Sequence, residues 1–194
     1  MKNLINGFLK SFGPKVFNEG LEKCNALGKS LVKKRKIINF LDVGCASGHL
    51  TLDFAKAVKA KNIYGVEFVK KYKEECLRKG IKCQSQDLNK SWEFEDNFFD
   101  LILSSQNIEH MHDTRLYLEE CCRCLKPGGQ TVILSENLAS WINIFSLLFG
   151  WEPFSSTGIG GKSAGNPLHV KMEKNDWLEE KNALMSDEYQ MSGI

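Results

Sequence analysis

The stretch from Phe40 to Thr51, FLDVGCASGHLT, constrains this chain more than any other. Before it, Ile37, Ile38, Phe40, Leu41 and Val43 make an apolar run too short for a helix and closed by a glycine-rich turn, which reads as a buried parallel strand. Gly44-Cys45-Ala46-Ser47-Gly48 is a turn for small residues, because the backbone must bend sharply and approach something closely. From His49 the period changes, and Leu50, Phe54, Ala57 and Val58 fall at helical spacing. Strand, glycine turn and helix together are the ligand-binding opening of a doubly wound α/β sheet.

The chemistry of the turn narrows its ligand. A dinucleotide reader uses G-x-G-x-x-G, whose second glycine admits a pyrophosphate. Here Gly44 and Gly48 are four apart with Ala46 between them, and Asp42 stands where a phosphate would need positive potential. A carboxylate at that place suits a ligand with a cationic head and no phosphate, and S-adenosylmethionine answers that description. Ile63-Tyr-Gly-Val-Glu67 reads as a second strand, ending in a carboxylate able to take both hydroxyls of a ribose. An NAD-dependent oxidoreductase is the reading these features disfavour.

Further pieces follow in order: Gln86-Asp87-Leu88, Phe99-Asp-Leu-Ile-Leu-Ser-Ser105, Asn107-Ile-Glu-His110 and Leu125-Lys-Pro-Gly-Gly129. With Asp42–Gly48 and Glu67, this series resembles the class I S-adenosylmethionine-dependent methyltransferases, in the small-molecule branch of the type 11 kind. The resemblance runs from about Ile37 to about Phe154. It implies a Rossmann-like, mostly parallel sheet, S-adenosylmethionine as cofactor, and methyl transfer to a small acceptor. It also implies that Asp42, Gly44, Cys45, Ala46, Gly48, Glu67, Phe68, Asp87, Leu88, Ser105 and Asn107 hold the cofactor. Glu109 and His110 then face the acceptor, with His110 as a candidate base, since imidazole titrates near neutrality. The family's usual middle glycine is Ala46 here, a departure that bears on how closely the cofactor packs.

With 194 residues the chain suits one domain with a sizeable core, and 42% hydrophobic and 26% charged residues are ordinary for a soluble globular protein. The seven cysteines are an odd number scattered through helices and strands rather than framing loops, which points to a reducing, cytoplasmic setting. Neither a signal peptide nor a run of membrane-spanning length is visible. A net charge of +2 decides nothing about nucleic acid, and Ser105-Gln-Asn-Ile108 lacks the Asn-Pro-Pro-aromatic motif of adenine methylases, so no nucleic-acid partner is expected.

Along the chain, Pro14 suits the first turn of a helix whose apolar face is Phe17, Leu21, Cys24 and Leu31. Lys33-Lys-Arg-Lys36 then reads as a solvated helix end, and in the resembled family such N-terminal helices, residues 1–36, cover the cofactor site. Val69, Tyr72 and Cys76 mark a helix that Gly80 stops, and Ile81–Ser85 a third strand. Strand four delivers Gln106, Asn107, Glu109 and His110 from its carboxyl edge toward the pocket. Asp113 caps the next helix, for which Leu118, Cys121, Cys122 and Leu125 give a core face. Cys121-x-x-Cys124 therefore reads as structural thiols rather than a metal or redox pair, and His110 and His112 lack a third ligand, so no metal is expected. Lys126-Pro-Gly-Gly129 reads as a turn into strand five, Thr131–Leu134.

Trp141–Trp151, WINIFSLLFGW, is an apolar helix with a narrow polar stripe of Asn143, Ser146 and Gly150. It reads as a lid within a 137–170 insertion, with Trp141, Phe145 and Leu148 on the acceptor side; core packing and a bilayer surface are its rivals. Gly158–Ser163 reads as a flexible loop, and 171–194 as a polar tail with one helix around Trp177–Met185. Two closing strands of the family fold are not legible after Leu134, so the chain is either truncated relative to its relatives or has a disordered tail. Strand five is then an exposed edge through which self-association can occur. The rival to catalysis is a non-catalytic, methyltransferase-like binding module within the 37–136 core.

Overall fold

A computed structural model describes residues 19–151 and 153. The sequence readings on residues 4–18, 154–170 and 171–194, including the Pro14 helix start and the Gly158–Ser163 loop, lie outside the described residues. Two units separate: one spans Lys23–Ser135, and the other holds the described residues 19–22, 136–151 and 153.

The larger unit takes the part of helix α1 (19–31) from Lys23 on, then β1 (Asn39–Val43), α2 (His49–Val58), β2 (Asn62–Val66), α3 (Lys70–Arg78), β3 (Lys82–Gln84), β4 (Phe99–Ser105), a single 3-10 turn (Ile108–His110), α4 (Thr114–Cys124) and β5 (Leu125–Leu134). The strands pair in the order β3-β2-β1-β4-β5, all parallel. β1 is buried along its whole length, which is why it carries no alternation of polar and apolar residues. Its side chains still alternate in direction. Leu41 and Val43 join Val66, Ile102, Trp92 and the α4 residues Tyr117, Cys121 and Cys124 on one face. Phe40 joins Phe54 and Ala55 of α2, Leu101, Leu103, Val132 and Leu134 on the other, where Cys24 and Val32 also pack. Helices on both faces make the sheet doubly wound, as the sequence leads one to expect.

Four local readings are corrected. The buried face of α4 is Tyr117, Glu120, Cys121 and Cys124, while Leu118 and Cys122 are exposed, so the helix is rotated from the face Leu118–Cys122 suggests. Tyr117 wins the inward position because its ring packs edge-to-face on Trp92 and its hydroxyl has a buried partner in Ser104. Lys126–Gly129 is no free turn. β5 already pairs at Leu125 with Phe99, the register breaks, and pairing resumes at Gln130 with Leu101. On α1, Leu31 is exposed, and Gly28 is the position that meets the sheet, where an added Cβ would lie 3.1 Å from Leu134. The basic run is also more than a solvated end, since Arg35 donates to the carbonyls of Gly128 and Asp100 and so ties the irregular part of β5 to β4.

The smaller unit contributes α5 (Trp141–Leu148). Of its polar stripe, Asn143 and Ser146 are fully covered and Gly150 is exposed, while Trp141 is 86% and Leu148 78% exposed. Asn143 Nδ2 donates to Asn137 O at 3.2 Å. Among the described residues no helix is long and apolar enough to cross a membrane.

Candidate functional site

The sheet order reverses between β1 and β4, and in open α/β sheets ligands bind outside the carboxyl ends of the strands at such a point. The turn that leaves β1 there is held from several sides. Gly44 N and Cys45 N both donate to Val66 O at 3.0 Å, which anchors the turn to the end of β2. Cys76 Sγ donates to Ala46 O at 3.1 Å and the Lys79 ammonium donates to Ser47 O, so α3 holds the turn's carbonyls. Gly44 has φ 80°, and a Cβ on it would meet the Asn107 side chain at 2.9 Å. Gly48 has φ 77°, and a Cβ there would lie 2.6 Å from Ile81 Cδ1. Ala46 also lies in the left-handed region, φ 43°, which explains why a glycine is at home at this position.

Asp42 sits beneath this turn, 2% exposed. Thr51 Oγ1 donates to its Oδ2 at 2.6 Å, while Oδ1, also buried, accepts no hydrogen bond from a described residue. Burial pushes its carboxyl up to about 7, the Thr51 hydroxyl opposes this, and the charge of Glu67 adds to it. Glu67 follows β2, nearly buried, with Val69 N donating to its Oε1 at 2.8 Å, and Phe68 beside it is 42% exposed.

Past β3, Asp87 accepts from Asn89 N at 3.0 Å and pairs with Lys90 at 3.4 Å; the Asn89 backbone bond leads in holding its carboxyl below the usual range. Leu88 packs at the margin of the α4-side core. Ser105 ends β4, half-buried. Asn107 Nδ2 donates both to Val43 O and to the Tyr117 hydroxyl, each at 3.2 Å, so its amide clamps the end of β1 to α4. Glu109 and His110 are exposed on the 3-10 turn, and Ser135 Oγ donates to Glu109 Oε2 at 3.2 Å. Trp141, Phe145 and Leu148 lie on α5, in the other unit.

The structure thus brings Asp42, the Gly44–Gly48 turn and Asn107 into one arrangement, with Glu67 charged close enough to bear on Asp42. Sequence reading missed Cys76, Lys79 and Tyr117, the residues that brace the turn. Their only sequence signal is position on helix faces, which says nothing of a partner in a distant loop. Among the described residues, the acidic group with an unsatisfied buried oxygen fits a ligand cation, while Gly44 and Gly48 make room for the side chains of Asn107, Ile81 and Cys76.

The parallel sheet and its flanking helices are those of the class I methyltransferase fold. The family model described as "Methyltransferase domain" matches residues 41–133, which identifies that stretch as a domain of this family. An uncharacterized methyltransferase of Schizosaccharomyces pombe is 32% identical over 131 residues, 61% of this chain and 46% of the yeast protein. The ubiquinone biosynthesis O-methyltransferase of human mitochondria is 30% identical over 108 residues, 52% of this chain and 29% of the human protein. The matched stretch therefore spans under half the length of either relative. The crystal structure of a SAM-dependent methyltransferase from Thermotoga maritima shares the fold, with TM-score 0.54 at 19% identity, covering 76% of this chain and 68% of that one.

Proposed function

We propose that this chain binds S-adenosylmethionine at the carboxyl ends of β1, β2 and β4 and serves methyl transfer to a small, apolar acceptor. The observation that supports this most is Asp42, whose buried Oδ1 has no donor among the described residues while its carboxyl is strained toward neutrality by burial. A cationic ammonium is the partner such an oxygen lacks, and a phosphate would be repelled by it. Asp42 would receive the cation, the Gly44–Gly48 turn would follow the ligand's tail, Glu67 would accept from the ribose hydroxyls, and Asp87 with Leu88 would border the adenine. The cofactor, when bound, supplies an already activated methyl carbon, so the protein's share is proximity and orientation. Glu109 and His110 stand on the acceptor side, with the imidazole available to take a proton from an acceptor that still carries one. The human relative's name, an O-methyltransferase of ubiquinone biosynthesis, supports an oxygen acceptor on an apolar molecule.

Thermal shift with S-adenosylhomocysteine and with NAD tests the cofactor. A ligand at about a hundred times its dissociation constant adds roughly 2.7 kcal/mol, and only S-adenosylhomocysteine should do so. Stabilisation by NAD alone overturns the assignment. Glu67→Ala should weaken S-adenosylhomocysteine binding by about 1.5–3 kcal/mol, the loss of a charged acceptor, whereas Glu109→Ala should leave binding intact and lower turnover. Binding without any turnover across apolar hydroxylated acceptors would favour the non-catalytic module.

A further inference from the structure

The turn's second residue, Cys45, also belongs to a cluster of three thiols to which the methyltransferase reading gives no joint role. Cys45 from the turn, Cys76 from α3 and Cys83 from β3 are all buried, at 4%, 0% and 7% exposure. Cys45 Sγ lies 3.6 Å from Cys76 Sγ and 3.7 Å from Cys83 Sγ, and the three sulfurs all fall within 4.8 Å of one another. Among the described residues, no other three Cys, His, Asp or Glu side chains converge in this way. The pair that does stand at motif spacing, Cys121 and Cys124, gathers no third ligand among the described residues.

We propose that Cys45, Cys76 and Cys83 form a three-thiolate site for a thiophilic divalent cation of the zinc type. Distance supports it first. A point equidistant from three sulfurs so spaced lies about 2.1–2.4 Å from each, against a zinc–thiolate bond of about 2.3 Å. An ion would therefore reach all three ligands without moving the strands or the helix. Ligand type supports it next, since thiolates select zinc-like and other soft ions over magnesium or calcium. The surroundings are already shaped around sulfur: a Cβ on Gly65 would lie 2.6 Å from Cys45 Sγ, and one on Gly48 2.9 Å from Cys76 Sγ. Ile81 closes the group with apolar carbon.

Protonation is uneven within the cluster. Sharing a hydrogen bond with Cys45 lowers the Cys83 thiol, and the same bond is the leading cause that raises Cys45. Burial raises Cys76 to about 11. The field of Lys73 also lowers Cys83, while Glu67 raises both Cys76 and Cys83. Binding forms three sulfur–metal bonds and releases up to three thiol protons to solvent, so affinity increases with pH. Because Cys45 is part of the turn, a bound ion joins the turn's inner side to α3 and β3 through metal–sulfur bonds.

The test uses the full chain, reduced with a phosphine so that no thiol reagent competes, and cadmium(II) as probe. Titration should give a thiolate-to-cadmium charge-transfer band that saturates at one ion per chain, and the cadmium NMR shift should report sulfur-only coordination. Zinc(II) should displace the cadmium. Cys83→Ala should weaken binding at least tenfold, while Cys122→Ala, on the exposed side of α4, should leave it unchanged. Absence of a saturable band, a shift indicating nitrogen or oxygen ligands, or a band that survives Cys83→Ala and vanishes in Cys121→Ala/Cys124→Ala would overturn the proposal. If Cys83→Ala does not fold, the NMR shift of the wild type decides by itself. S-adenosylhomocysteine binding is read separately, so failure of the metal site and failure of the cofactor assignment are distinct results.

Discussion

Asp42 and Ala46 show what the glycine turn after β1 costs the protein. A buried carboxyl raised from 3.8 to about 7 holds its proton more tightly folded than unfolded. Its contribution to stability is therefore complete below about pH 4 and is lost as pH rises through about 7. Relative to wild type, Asp42→Asn should gain stability as pH rises from about 4 to about 7, by up to a few kcal/mol. Binding runs the other way. The ionised form is the one that meets a cation, so wild-type affinity for S-adenosylhomocysteine should climb from pH 6 to pH 8 while the Asn variant's stays flat; parallel profiles in calorimetry would refute the pairing. At Ala46 the left-handed backbone costs about 1–2 kcal/mol, of which glycine's extra unfolded-state freedom returns about 0.5–1 kcal/mol to the unfolded side. Ala46→Gly should then raise the urea midpoint, worth up to about 1 kcal/mol, and a lower midpoint would show that the alanine methyl packs usefully. Asp42, Gly44 and Gly48 were legible because spacing and charge are local signals. The braces Cys76 and Lys79 were not, because they reach the turn across 30 or more residues.

Helix α4 and strand β5 separate what pattern can and cannot reveal. Asp113 was readable as a cap, and its Oδ1 accepts from both Arg115 N and Leu116 N at 3.0 Å. Asp113→Ala should cost about 1 kcal/mol, measured by urea denaturation, and Asp113→Asn much less. The face of the same helix was misread, since Tyr117-Cys121-Cys124 and Leu118-Cys121-Cys122-Leu125 are both helical stripes and share Cys121. Hydrophobicity favours the second, but the buried hydroxyl partner of Tyr117 and its ring contact with Trp92 decide for the first. Glu120 is drawn in with it, because Arg123 donates to both of its oxygens and also to the carbonyls of Trp92 and Phe94, which pins the 92–97 segment to the helix. Strands β1, β2 and β4 were legible to within about two residues, because buried parallel strands are short apolar runs, whereas β5 begins six residues before the expected Thr131. The broken register in β5 was not, since Lys-Pro-Gly-Gly carries the same signal whether it turns freely or bulges within a ladder.

The five-stranded parallel sheet, with β1 at its centre, also fixes an order of events. β1 meets β2 across 23 residues, from Asn39 to Asn62, but meets β4 across 61, from Phe40 to Leu101. Closing the longer loop costs about 0.9 kcal/mol more by loop-length scaling, so the β1–β2 pairing is favoured as the earlier contact. The cofactor turn is braced from both sides: Val66 belongs to the early pair, whereas Asn107 arrives only with β4. The geometry of the turn is therefore completed only when β4 joins, after the β1–β2 pairing has formed. Asn107→Ala should consequently speed unfolding while leaving the folding rate nearly unchanged, a φ-value near zero in stopped-flow chevrons, and a slowed folding arm would place the turn in the nucleus instead. A ligand that needs this geometry cannot act as a template for folding. It binds a sheet already assembled and lengthens the lifetime of the native state by slowing the step in which β4 peels away from β1.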